Sequence, residues 1–340
     1  MTFEPDAPLS RPTQPWWRRA LGWRPKLSWS GTAAVLVPKG RWKRVVAVLI
    51  LIPIVYYVGG GLWLHRIDDR PDFEPQNVQP GESRAVAMAA ALITREVDDH
   101  HWTPMDPFFL PGAWLDNMPN YQVGIMKALA RFAVQMRNRL ARSRGSSPQD
   151  PDLDRAAALL NADPKQWVWT PSISLLPTAT STSQYRSGRA ALIAYNKRLA
   201  ANQASFERRA DNLQDFLEDA ASDIGSTSAQ IDRHIHDHGG DLLDFYADNL
   251  FYANKGQLYA YFLLLKELGN DYQGVLRERD LTGPWAQMLE TFRTAATLQP
   301  WVVVNGAADS QLLPSHLVAQ GFYLMRARTQ LREVADILRK

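Results

Sequence analysis

The sequence predicts an all-α protein, a single transmembrane helix followed by an exported helical bundle with long heptad-like helices. Three observations carry that expectation. Residues 45–64 read VVAVLILIPIVYYVGGGLWL and hold no acidic or basic side chain. The charge of the chain divides at that run. From residue 82 onward, apolar residues recur at helical spacing almost throughout.

As a helix, the apolar run covers about 30 Å, the thickness of a bilayer's hydrocarbon core. Pro53 near its middle removes one backbone hydrogen bond and predicts a kink. Tyr56, Tyr57 and Trp63 suit the far interface, where aromatic rings prefer to lie. A cleaved signal peptide has a shorter apolar region and a small-residue cleavage site. Here 44 residues precede the run and no Ala-x-Ala follows it, and Arg18-Arg19 stands too far upstream for a twin-arginine signal. The run therefore reads as a permanent anchor.

Orientation follows from the flanks. Nine basic and two acidic residues precede the run, against 29 basic and 33 acidic after it, so a net +3 resolves into +7 and −4. The positive-inside rule then places the N-terminus in the cytoplasm and the larger part outside, which is the periplasm for a bacterial inner membrane. The expected organisation is a basic Trp/Pro-rich cytoplasmic tail over 1–44, the span over 45–64, a linker over 65–81 and a periplasmic helical domain over 82–340. Six prolines argue against a folded tail. Trp16, Trp17, Arg18, Arg19 and Trp23 mix indoles with cations and suit an anionic headgroup layer. The plainer reading is a topogenic basic flank, and nucleic acid is not an expected partner.

Within the exported part, helices are expected over 83–99 and 120–142, the latter broken by Gly145–Pro148. Another should begin at Asp150-Pro151, with Asp as cap and Pro at the first helical position. Tyr185, Leu192, Leu199, Phe206, Leu213 and Ala220 recur at sevens and predict one long helix over 183–224, packed internally or coiled with a second copy. Gly225 should stop it, and Thr227 with Gln230 should cap the next helix. Further helices are expected over 242–268, from Pro284 to 298, and from Pro314 onward with Leu317, Leu324, Leu331 and Leu338 at sevens. Trp301–Val304 reads as an extended connector.

The composition excludes several chemistries. Without cysteine there is no disulfide, thiolate zinc site, iron–sulfur cluster or cysteine nucleophile. No His-Glu-x-x-His, phosphate-cradling Gly-rich loop, Gly-x-Ser-x-Gly or Ser-x-x-Lys occurs. Asp150-x-Asp152-x-Asp154 begins like a calcium loop but has Arg155 where the turn needs glycine and Asn161 at position twelve. The most suggestive cluster is 234–241, where His234, His238 and Asp241 are candidate zinc ligands. Asp98, Asp99, His100 and His101 are outside donors to complete the set. The plainer reading is a helix C-terminus, with histidines opposing the dipole and Gly239 as cap. No other cofactor is expected.

The stretch 102–119 is rich in proline yet strongly apolar. Trp102, Met105, Phe108, Phe109, Leu110 and Trp114 form either a surface that meets a partner or lipid, or a lid folded over the core, and the lid is favoured. Asp106 and Asp116 in the same stretch are a candidate acid–base pair.

Several segments resemble a known family: Trp102–Pro119, Arg144–Ser147, Phe206–Leu213, Lys255–Tyr261 and Gly321–Leu331. They are similar to a proteobacterial inner-membrane family known only as a domain of unknown function. The likeness runs from about the span to the C-terminus and leaves the tail largely outside. It implies a single-pass envelope protein and brings no activity, cofactor or catalytic residue with it. The leading expectation is a non-enzymatic, membrane-anchored periplasmic scaffold or binding protein, whose partners are the inner membrane and an envelope protein or lipid. The competing readings are a ligand-sensing module signalling through the span and a metal-dependent hydrolase built on 234–241.

Overall fold

A computed structural model describes residues 41–140, 149–169, 176–238, 244–306 and 314–340. Among them the fold is all-α, with ten α-helices and no strand beyond one isolated bridge, Asn305 to Ser315. The chain divides into two units at Leu51/Ile52. The described part of the first, 41–51, is the opening half of helix α1 (Arg41–Leu64). Pro53 lies inside this helix, which is long and apolar enough to cross a membrane.

The second unit holds the remaining helices. α2 (Arg84–Thr94) starts at Ser83, whose hydroxyl accepts from the Val86 amide, and ends in a π-helical turn over Arg95–Asp99. α3 (Asn117–Gln135) likewise runs into a π turn, Met136–Leu140. α4 (Pro151–Leu160) opens as its sequence predicts: the Asp150 carboxylate accepts from the amides of Asp152 and Leu153. α5 is Ser181–Ala200, α6 Ala210–His238, α7 Phe245–Asp271, α8 Gln273–Glu278, α9 Thr282–Ala296 and α10 His316–Arg339.

α7 is the centre. Every residue from Leu258 to Leu265 is buried, so this helix is apolar all round and must be enclosed. α3, α9 and α2 enclose it, while α6 pairs with α10 and α4 with α5. The α3–α7 contact is made backbone to backbone. A Cβ on Gly124 would stand 1.9 Å from the Ala253 carbonyl oxygen, and one on Gly256 would stand 2.0 Å from that of Tyr121. The two glycines face opposite helices, so neither helix has side-chain bulk at the crossing.

The long helix expected over 183–224 is two helices. Ala201–Arg209 is irregular, with Asn202 in the left-handed region at φ 56°. The Tyr195 hydroxyl donates to the Ser205 carbonyl at 2.7 Å across the bend, and Phe206 packs edge-on against Tyr272. The sevenfold repeat continues through the break because both halves bury the same kind of face, α5 against α4 and α2, α6 against α10. Leu192, Leu199, Leu213 and Leu217 are all buried within the body, as are Leu317, Leu324, Leu331 and Leu338. These leucine seams are therefore filled within one chain. Gly225 does not stop a helix either. It lies inside α6, where the Arg328 guanidinium of α10 packs over it, and Thr227 bonds the Gln257 side chain instead of capping. α10 begins two residues later than expected, capped by the Ser315 hydroxyl.

The glycine crossing yields a direct expectation. Gly124→Ala and Gly256→Ala should each destabilise the fold by about 2 kcal/mol or more, because the overpacking cost exceeds the gain of about 1 kcal/mol in helix propensity. Gly274→Ala, where nothing lies within 4 Å, should be neutral or slightly stabilising. Urea denaturation of the full chain in detergent, followed by circular dichroism, reads the difference.

Candidate functional site

The segment 65–81, expected as a linker, has no regular structure but is tied to the body along its first part. Asp69 forms an ion pair with Lys255 at 2.7 Å, and Lys255 is 1% exposed in the middle of α7. The same ammonium donates to the Leu298 carbonyl at 2.6 Å, and the Gln299 amide donates to both Asp69 oxygens. Burial pulls the Lys255 pKa down, and the Asp69 carboxylate works against that. One turn along α7, the Tyr259 hydroxyl donates to the Arg70 carbonyl and accepts from Arg95. Arg95 is itself buried, pairs with Glu96 at 2.7 Å, and stacks between Phe73 and the Tyr259 ring. Tyr121 of α3 donates to the Asp68 carbonyl at 2.8 Å. The segment is a strap, and the helices it crosses supply its partners.

The strap leads straight from the end of α1, and the proline-rich stretch docks on that end. Thr103–Met105 and Pro111–Trp114 form short 3₁₀ turns. The hydroxyl of Tyr56 donates to the Phe109 carbonyl at 3.3 Å and that of Tyr57 to the Phe108 carbonyl at 3.5 Å. The Trp114 ring lies 5.4 Å from that of Tyr57. Pro111 occupies the space a Cβ on Gly60 would need, and Leu115 lies 3.6 Å from where a Cβ on Gly61 would stand. The loop thus follows the helix residue by residue.

The predicted contact residues divide. Trp102 is a correction: it is fully buried, its indole donating to the Pro164 carbonyl at 2.9 Å and its ring packing edge-on to Tyr185. Met105 and Leu110 are half-buried, and Met105 receives the Ser181 hydroxyl on its sulfur. Phe108, Phe109 and Trp114 are exposed, at 79%, 46% and 71%. The lid expectation therefore fails for these three rings, because they pack on one another, on α1 and on Trp167 rather than on the core. Sequence reasoning missed other exposed apolar residues. Trp169 follows Trp167, and Trp301 with Val302 follows Gln299, the residue that holds Asp69. The run Trp301–Val304 in an otherwise helical chain was the available signal.

Of the candidate zinc ligands, His234 and His238 lie side by side at the end of α6. His234 is buried on α6 and its Nε2 lies 2.6 Å from an Asp244 oxygen, while the His238 ring stacks at 4.9 Å. Asp244 also caps α7 through the Ala247 amide and accepts from Asn305. That set joins the ends of α6 and α7 to the connector before α10. His100 faces Glu96 at 3.7 Å, and His101 bonds Asp106 at 2.8 Å, so neither joins His234. Asp98 is held by Arg186 and Arg189. Among the described residues, no three His, Asp or Glu converge on one point. Asp241 lies outside the described residues, as do Trp16, Trp17, Arg18, Arg19 and Trp23. The expected Asp106–Asp116 pair does not form: Asp106 serves His101, whose pKa it raises. Asp116 instead lies near Asp248, whose carboxyl is pushed up to about 6 by burial and then by Asp116.

A groove of about 530 Å³ opens where the strap passes α2 and α5, with Phe73, Ala90, Ala91, Leu192 and Ile193 along its floor. No nucleophile–base pair lines it. Comparison with known proteins adds one finding: residues 103–241 match the model of a family described as an uncharacterized protein conserved in bacteria (DUF2333). No curated protein and no solved structure matches the chain.

Two measurements follow. Lys255→Met alone should cost about 3–5 kcal/mol by leaving Asp69 buried and unpaired, whereas Lys255→Met with Asp69→Leu should recover most of the loss. Asp248 has a folded pKa above its unfolded one, so its charged form opposes folding, and stability falls as pH rises from about 4 to 6. Asp248→Asn should therefore stabilise the protein by about 1–2 kcal/mol at pH 7, after allowance for partial exposure, and by nothing below pH 4. Denaturation midpoints at pH 4, 6 and 7.5 test the sign.

Proposed function

We propose that this chain is a single-pass protein of the bacterial inner membrane, with a cytoplasmic N-terminus and a periplasmic helical body that acts as a non-catalytic scaffold or binding protein of the envelope. The observation that carries the reading is the pinned strap. Only four residues separate the end of α1 at Leu64 from Asp69, which is locked to the central helix by Lys255. An enzyme released on a flexible tether needs no such attachment, whereas a scaffold that must present one orientation to the membrane does. The charge asymmetry across the span supports the topology. The helical architecture supports a binding role, since long helices offer broad lateral surfaces without a reactive cleft.

The cysteine-free sequence makes the test simple. A single cysteine at Ala201 should react with a membrane-impermeant maleimide in spheroplasts. One at Thr2 should react only after the membrane is permeabilised. The reverse pattern, or equal labelling of both, refutes the topology.

A further inference from the structure

We infer that the anchored end of the body is seated in lipid: the tip formed by Pro107–Trp114 occupies the outer half of the bilayer beside α1, and phospholipid acyl chains are the partner of Phe108, Phe109 and Trp114. The inference deepens the anchored reading above and rests on α1 being the span.

The register along α1 sets the depth. Phe109 is held at the level of Tyr56, Phe108 and Trp114 at Tyr57, Pro111 at Gly60 and Leu115 at Gly61. At 1.5 Å per residue these levels lie about 12, 10, 6 and 5 Å before the helix end at Leu64. Half of a hydrocarbon core is about 15 Å. For the tip to stay in water, residues 56–64 would have to leave the bilayer. The apolar run would then shrink to 45–55, about 16 Å, roughly half of what a crossing requires. A full-length span and a dry loop tip are therefore the same condition.

The loop is built for that environment. No charged side chain occurs between Pro107 and Leu115, and the Asp106 carboxylate just before them is nearly buried against His101. Backbone inside a bilayer must satisfy its polar groups internally. Pro104, Pro107 and Pro111 have no amide hydrogen to satisfy. The amides of Leu110, Ala113 and Leu115 donate to carbonyls within the loop. The two exposed phenylalanines of the tip have their carbonyls covered, Phe109 by the Tyr56 hydroxyl and Phe108 by the Tyr57 hydroxyl and the Trp114 indole. A loop evolved for a water-facing protein partner needs none of these covers, because water would supply them.

The test uses the full chain in vesicles of phosphatidylcholine and phosphatidylglycerol. Single cysteines at Ile50, Ala113 and Ala201 each carry a nitrobenzoxadiazole label, with quenching by acyl-chain spin-labelled lipid compared with quenching by iodide. Ala113 is exposed beside Trp114, so labelling it leaves all three rings in place. The expected result is loss of emission to the lipid quencher at Ile50 and Ala113, and to iodide alone at Ala201. If Ile50 is quenched by lipid while Ala113 responds only to iodide, the lipid seat is wrong and the anchor stands. If Ala113 is shielded from both quenchers, protein covers the loop and the inference is overturned. If Ile50 itself escapes the lipid quencher, the span fails and the inference with it.

Discussion

The rest of the structure depends on a lysine ammonium held in the middle of its most buried helix. Lys255 has Asp69 and the Leu298 carbonyl as partners, and Gln299 completes the carboxylate. An isolated charge at that position would cost several kcal/mol, so the helix is stable only with the strap in place. The dependence runs both ways. Prolines and charges give the strap no helix or sheet to join, and its order comes from the groups it neutralises. Because the strap begins where α1 ends, the same pair sets how the end of α1 approaches the body. The match between that helix and the proline-rich loop then follows, as does the placement of the exposed rings.

Much of this was legible in the residues. The long apolar helix, the charge split and the all-helical body follow from hydropathy and periodicity, and Asp150-Pro151 announces its helix start. Long-range pairing was not legible. Pro71, Pro75 and Pro80 mark the strap as irregular, but irregular chain is not the same as free chain. The missing clue was Lys255 itself, a lone cation followed by the apolar run Leu258–Leu265 that had to find an anion. For the site, residue type identified the aromatic loop but not which rings face outward. Trp102 and Trp114 are the same residue type twelve positions apart, one buried against Tyr185 and Pro164 and one exposed beside Tyr57.

The seven-residue repeat misled for a related reason. Periodicity reports which face is buried and says nothing about continuity. Asn202 interrupts the helix without any glycine or proline nearby, because asparagine tolerates the left-handed conformation that ends a helix. Gly225 is the converse: it looks like a breaker and lies inside a helix, where its missing side chain admits a neighbour, as that of Gly256 does.

A body fastened this way has no leash. A scaffold on a long disordered tether searches a wide volume and meets partners by chance encounter. On the anchored reading proposed above, this one is confined to a thin layer. α7 is 27 residues long, so its far end stands at most about 40 Å from its near end. At its C-terminal end Ser83 meets Asp271, and Gly81 lies beside Ala200. On that reading its encounters are two-dimensional, with whatever shares the membrane plane.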